Sequence, residues 1–320
     1  MLAILFAFAS SKVHLGLTEE RQFLQWMRTN NKFFTGDEYH FRLGIFISNS
    51  RYCQEFNRRN GLTFRVGINQ FSCHTPSEYK SILGVQGANQ KYINNKSKQV
   101  KHKFTAPDTC DWRDKGVVNS IKDQGSCGSC WAFSAVASSE SAYAITSGEL
   151  LRFSEQNLLD CSPCLGCNGG WPNVAIYFVN NFQEGKFSAE DDYQYTAVQG
   201  SCNFDSSKSI GKITDMVAVD DDNEVDLRDK IAQYGVASVT IAANNTPFMS
   251  YTGGILDNDQ CSPFTDHAVA AVGYGSENGI DYWIVRNSWG TTWGEEGYVR
   301  MIRNKDNQCQ IASSAFVVID

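Results

Sequence analysis

The stretch Gln124-Gly125-Ser126-Cys127-Gly128-Ser129-Cys130-Trp131-Ala132-Phe133 decides how the rest of the chain reads. A thiol followed by Trp131, Ala132, Phe133, Val136, Ala137, Tyr143 and Ala144, with Gly148 as a stop, predicts a loop running into a buried helix whose first turn carries Cys130. Unpaired N–H groups and the positive end of the helix dipole favour an anion there, so Cys130 is expected to ionise more readily than a free cysteine. A buried cysteine taken alone is a packing residue, so its partners decide between the two readings.

A nucleophilic thiol needs a base and a group that orients the base. Of five histidines, His14, His40, His74 and His102 all precede Ala106, which leaves His267, 137 residues beyond Cys130. It heads the apolar run Ala268-Val269-Ala270-Ala271-Val272-Gly273-Tyr274, where a bare histidine would be a satisfied core residue. Asn287, 20 residues further on in Arg286-Asn287-Ser288-Trp289-Gly290, supplies an amide to hold the imidazole, with Trp289 able to shield that bond from water.

With 320 residues, 42% of them hydrophobic, the chain can bury a large core, and about two domain-sized units are expected. Eleven cysteines, most of them after residue 100, suggest disulfides made in an oxidising compartment. Residues 1–11 fit a short secretory signal that lacks a basic n-region, and no apolar run reaches transmembrane length. Net charge is +9 over residues 12–105 and −16 over 106–320, which suggests that the first segment docks on the second and that carboxylates at the contact would release it in acid. The acidic second segment gives no support to nucleic-acid binding.

Thr18 and Asp37 are candidate caps of two helices, the second running to about Arg59. Along that second helix Glu38, Arg42, Phe46, Asn49, Cys53 and Asn57 recur at helical steps and form one stripe. Residues 65–72 read as a short strand, Thr75-Pro76-Ser77-Glu78 opens another helical turn, and 91–103, with five lysines and no periodicity, suits an exposed linker. Later, Val174 to Phe182 reads as a helix, and Val236 to Ala243, Ala268 to Tyr274 and Asp281 to Arg286 read as strands. The result is an α+β chain, helical in its N-terminal half and β-rich in its C-terminal half.

Taken together, Gln124 to Trp131, Gly166-Cys167-Asn168-Gly169-Gly170 and Asn287 to Tyr298 resemble the nucleophile block, substrate loop and asparagine block of the papain-like cysteine proteases. The 38–57 stripe and Gly67-Ile68-Asn69-Gln70-Phe71 resemble that family's propeptide motifs, those of a cathepsin L-like prepro-enzyme. Cys53 and Cys73 depart from the motifs, standing where an aliphatic residue and an aspartate are usual. The resemblance implies a signal at 1–11, an inhibitory propeptide at 12–105 and a two-subdomain peptidase at 106–320 with a β-barrel-like C-terminal half. Cys130 would attack as a thiolate paired with His267, held by Asn287. The Gln124 amide and the Cys130 N–H would form the oxyanion hole. Gly169 and Gly170 would pair with an extended substrate, and Trp171, Pro172, Ala268 and Ser314 would shape an apolar specificity pocket.

The same resemblance implies disulfides Cys127–Cys167, Cys161–Cys202 and Cys261–Cys309. Cys110 and Cys164 are expected as small buried thiols, and a Cys53–Cys73 bridge is a hypothesis. No cofactor or metal is expected: in the run Cys161, Cys164, Cys167 the fourth metal-spaced position is Trp171, and a redox role for Cys127 and Cys130 would leave His267 and Asn287 unused. Protein or peptide substrates, the chain's own propeptide and cystatin-like inhibitors are the expected partners of a monomer in a lysosome-like or extracellular setting. A catalytically inactive peptide-binding homologue is the alternative. Sequons at Asn95 and Asn244 permit glycans.

Overall fold

The computed structural model describes residues 17–85 and 104–320. The 1–11 segment, the sequon at Asn95 and the 91–103 linker lie outside the described residues. Helices α1 (Leu17–Thr29) and α2 (Gly36–Asn57) cross over an aromatic centre of Phe23, Trp26, Leu43, Phe46 and Ile47. Thr18 falls inside α1, and Thr35 rather than Asp37 precedes α2.

The polar members of the α2 stripe hold the chain between residues 66 and 78. Arg42 binds Glu38, both oxygens of Glu78 and the Cys73 carbonyl, Asn49 donates to the Ser72 carbonyl at 2.9 Å, and Asn57 exchanges two bonds with Val66. Strand β1 is only Phe64–Val66. Beyond it the Asn69 side chain accepts from the Phe71 N–H, which turns the chain out of an extended path. Helix α3 (Pro76–Ile82) starts with a capping box between Thr75 and Glu78.

Cys53 and Cys73 are both free thiols, so the hypothesised bridge is not formed. Cys53 packs against Phe56 and Phe64 in the main core, whereas Cys73 closes the separate aromatic centre of α1 and α2. Cys110 and Cys164 are also free; Cys164 is buried and Cys110 half-buried.

The second unit opens with β2 (Cys110–Asp111), then α4 (Cys130–Ser147), α5 (Glu155–Cys161) and α6 (Pro172–Phe182). After these come β3 (Asp215–Ala218), α7 (Glu224–Tyr234), β4 (Ala237–Ile241), α8 (Thr246–Met249), β5 (Tyr251–Leu256), β6 (His267–Glu277), β7 (Ile280–Arg286), β8 (Tyr298–Ile302) and β9 (Ala315–Ile319). Helix α4 is buried along almost its whole length and ends at Gly148, whose φ of 78° suits glycine. The helical half packs around Trp131, Val136, Leu158, Ile176 and Val179. Its interior also holds the Lys122 ammonium between Glu140, Glu155 and Glu190 at 3.1, 2.8 and 3.0 Å.

The sheet runs β1-β5-β8-β7-β6-β4-β9-β3, with β2 added to β6, and it is not closed. All pairs are antiparallel except β5 with β8, and the first segment contributes the outermost strand, β1. The three implied disulfides, Cys127–Cys167, Cys161–Cys202 and Cys261–Cys309, are present. Among the described residues every ion pair lies within one segment. Docking instead uses strand pairing and neutral donors: Thr63 to the Ile255 carbonyl, Asn69 to Met249, Gln70 to Trp289 and Tyr79 to Ala243. The expected carboxylate latch therefore has no direct ion pair among the described residues; Asp266, near enough to feel the charge of Lys80, is the carboxylate that comes closest to that role.

Candidate active site

The N-terminus of α4 and the head of β6 bring Cys130 and His267 to the seam between the two halves, where both are completely buried. The Nε2–H of His267 donates to Oδ1 of Asn287 at 2.8 Å, and that oxygen also accepts from the Ser288 N–H at 2.8 Å. This bond fixes the tautomer, leaving Nδ1 as the basic nitrogen, and Nδ1 has no partner among the described residues. Trp289 lies against the imidazole face with centroids 4.7 Å apart, backed by the edges of Phe248 and Trp293.

Gln124 is fully buried. Its Oε1 accepts from the Ser288 hydroxyl at 2.7 Å, which turns the NH2 group the other way. That group donates at 2.8 Å to the Cys127 carbonyl and at 2.8 Å to the carbonyl of Ile82, a residue of the first segment. Beyond Ile82 the chain crosses Cys130. The Gly84 N–H donates to Cys130 Sγ at 3.2 Å, the Ala268 N–H does the same at 3.4 Å, and Gly170 N–H donates to the Gly84 carbonyl at 2.8 Å. The Val85 N–H then donates to the Asp266 carbonyl at 3.0 Å.

Of the two loop glycines, Gly170 pairs with this crossing strand, while the Gly169 carbonyl is taken by the Leu165 N–H. A Cβ on Gly170 would come within 2.7 Å of both Trp131 and Cys164, so no side chain fits there. Val85 packs into the cluster that holds Ala268 and Trp171, and buried Pro172 opens α6 beside them. Ser314 precedes β9, and its carbonyl accepts from Thr240, the residue opposite Ala268 in the β4–β6 register.

The electrostatics differ from the sequence expectation. Loss of water under the crossing strand pushes the Cys130 thiol up to about 12, against the weaker pull of the Ala268 and Gly84 N–H groups. Burial likewise lowers His267 to about 4, so thiol and imidazole are both neutral in this form. Asp266, next to His267, is raised to about 6 by burial, against its bonds from the Ala243 and Asn244 N–H groups.

Sequence reasoning missed five residues at the site. Ser288 stood inside the asparagine stretch with a hydroxyl and no assigned task. Asp266 preceded His267 unremarked. Nothing local marked Ile82, Gly84 and Val85, because their role depends on contacts between residues more than forty apart in the chain.

Residues 106–319 match the family described as "Papain family cysteine protease", and residues 23–79 match "Cathepsin propeptide inhibitor domain (I29)". A cathepsin L-like proteinase of Fasciola hepatica is 39% identical over 299 residues, covering 91% of this chain and 90% of that protein. Digestive cysteine proteinase 2 of Homarus americanus is 39% identical over 293 residues, 89% of this chain and 90% of that one. The solved digestive procathepsin L2 proteinase from Tenebrio molitor larval midgut superposes with a TM-score of 0.88 at 35% identity, over 94% of this chain and all of that one. With the papain-family match spanning most of the chain and the inhibitor domain ahead of it, the chain belongs to the papain family of cysteine proteases and is built as a zymogen.

Proposed function

We propose that the chain is a thiol endopeptidase in which Cys130 is the nucleophile, His267 the acid and base, Asn287 the group that orients His267, and Gln124 an oxyanion donor. The observation that carries this reading is the bond from Gln124 Nε2 to the Ile82 carbonyl, made while Gly84 covers Cys130. A main-chain carbonyl already sits on the donor that a scissile carbonyl would need. Once that strand leaves and water and substrate enter, the desolvation that keeps Cys130 and His267 neutral is relieved. The thiol can then pass its proton to Nδ1, attack the peptide carbonyl, and have the proton returned to the leaving amine.

Burial of Val85 against Ala268 and Trp171 supports a preference for an apolar or aromatic residue two positions before the scissile bond. Residues 12–105 then act as the intramolecular inhibitor and 106–320 as the peptidase, with cleavage between about Lys101 and Pro107. The disulfides fit an oxidising, lysosome-like or extracellular setting reached through removal of residues 1–11. The enzyme acts as a monomer open to cystatin-like inhibitors.

The test holds the full chain with a thiol reductant at pH 4.5 and pH 7 beside a Cys130→Ser variant, following mass and cleavage of a fluorogenic dipeptide bearing Phe before Arg. Loss of about the first hundred residues, with activity in the unmodified chain alone, is expected. Processing by an added protease with no peptidase activity would leave an inactive peptide-binding homologue.

A further inference from the structure

We infer that Tyr195, in the loop between α6 and β3, is a positioning residue that sets the oxyanion donors of the proposed peptidase reaction. Its hydroxyl donates to the main-chain carbonyl of Gln124 at 2.9 Å and accepts from the Ser129 hydroxyl at 2.6 Å. Gln124 and Ser129 are the two ends of the irregular loop that delivers Cys130. One oxygen atom therefore joins the residue whose side chain would hold the oxyanion to the residue before the nucleophile. The ring is set edge-on against Phe133, one turn into α4, with centroids 4.9 Å apart.

The behaviour of Ser129 points the same way. Serine at a helix N-cap normally turns its hydroxyl onto an N–H of the first turn, as Ser154 does for α5. Ser129 occupies that position for α4 and is completely buried, yet makes no such bond. Its hydroxyl is engaged by Tyr195 instead, while its main-chain carbonyl, with the residue outside the extended cap conformation, accepts from the Ala132 N–H at 2.8 Å. The loop has further tethers: near its middle the Cys127–Cys167 disulfide and the Gly128 N–H on the Cys167 carbonyl, and at its first end Ser288, whose carbonyl accepts from the Gln124 N–H and whose hydroxyl donates to the Gln124 amide oxygen. The Tyr195 hydroxyl differs from these in bonding Gln124 and Ser129 at once, and the separation of those two residues is the dimension that sets the Gln124 amide against the Cys130 N–H. A transition state that needs both donors at once is sensitive to that separation, whereas a bound substrate that gains its affinity from Gly170 and the apolar pocket is not.

The inference rests on the proposed reading of Gln124 and Cys130, and the experiment separates the two. Tyr195→Phe, Ser129→Ala and the double variant are prepared as full-length chains and processed alongside the unmodified chain. For Tyr195→Phe, kcat is expected to fall about tenfold with KM within about twofold. Its unfolding midpoint is expected to shift by no more than about 4 °C, because the ring still packs on Phe133. Ser129→Ala is expected to show the same split, and the double variant no further loss than the worse single one, since both remove one bridge. Unchanged kcat in Tyr195→Phe, or a KM that rises in step with a falling midpoint, would overturn the positioning role while leaving the peptidase reading intact. An unmodified chain with no peptidase activity after processing would overturn both.

Discussion

The side-chain amide of Gln124 donates to the main-chain carbonyl of Ile82 at 2.8 Å, so the first segment meets the second at the proposed oxyanion donor as well as at Cys130, the proposed nucleophile. The residues after Ile82 are then constrained by how closely the backbone approaches Cys130.

A Cβ on Gly84 would lie 2.0 Å from the Gly128 carbonyl oxygen and 3.1 Å from Cys130 Sγ. Neither backbone can yield without losing the bonds on both sides of Gly84, so Gly84→Ala is expected to weaken docking by about 1–3 kcal/mol. Conversion of the full chain at pH 7 should rise by about tenfold or more; conversion at the unaltered rate would refute the close approach.

Because covering raises Cys130 to about 12, the thiol of the unprocessed chain should resist alkylation at pH 7. Iodoacetamide labelling of Cys130, located by peptide mass, is expected to speed up by at least about a hundredfold once the first segment is removed, since each pKa unit is tenfold in thiolate. Equal rates in the two forms would mean that the strand does not seal the site.

His74, beside Cys73, is expected to give docking an acid response. It lines a groove of about 650 Å3 between α2 and the 244–249 stretch, and its buried Nδ1 has no partner among the described residues. Burial lowers its pKa, the charges of Lys32 and Arg42 act in the same direction, and Glu78 opposes them; His40 lines the same groove. A histidine held neutral when docked stabilises docking above its ordinary value of about 6.5, and that stability drains as pH falls and the released form takes up the proton. Asp266, raised to about 6, has the opposite sign, since its docked form binds the proton more readily. His74→Gln should therefore flatten the acceleration of conversion between pH 7 and pH 4.5 by several-fold. An unaltered pH dependence would remove His74 from the trigger.

Lys122 sits among three carboxylates, and without it Glu140 and Glu155 would be buried unpaired. Glu155 is already raised to about 7 by burial. Lys122→Met is expected to destabilise the processed enzyme by about 3–5 kcal/mol, measured by denaturant unfolding; a change below about 1 kcal/mol would show that the carboxylates accept protons at little cost.

Much of this was legible in the chain. The α4 boundaries follow from the apolar residues after Cys130 and from Gly148, and the pairing of His267 with Asn287 follows from their being the remaining histidine and a nearby amide. Element ends were less legible. Residues 65–72 alternate well enough to suggest a strand, yet Asn69 and Ser72 bond to their own backbone and bend the chain after Val66. The neutrality of Cys130 was not legible at all, because it depends on a strand from another part of the chain excluding water. Net charge pointed to docking but not to its chemistry: totals of +9 and −16 do not say where the charges lie, and Arg42, the most heavily engaged cation of the first segment, serves Glu38 and Glu78 within it.

Strand β1 belongs to the segment that the proposed activation would remove, and it is the neighbour of β5. Activation therefore exposes a border that folding had covered, with the Ile255 N–H, bonded to Thr63 at 2.8 Å, set free. The Gly254 N–H is not, because Glu295 on the retained side already accepts from it at 2.9 Å. The edge that loses β1 would thus keep one main-chain donor, the Ile255 N–H, without its strand partner, while the Gly254 N–H stays bonded to a carboxylate that Arg300 also holds; an open strand border of this kind is where another extended chain can pair.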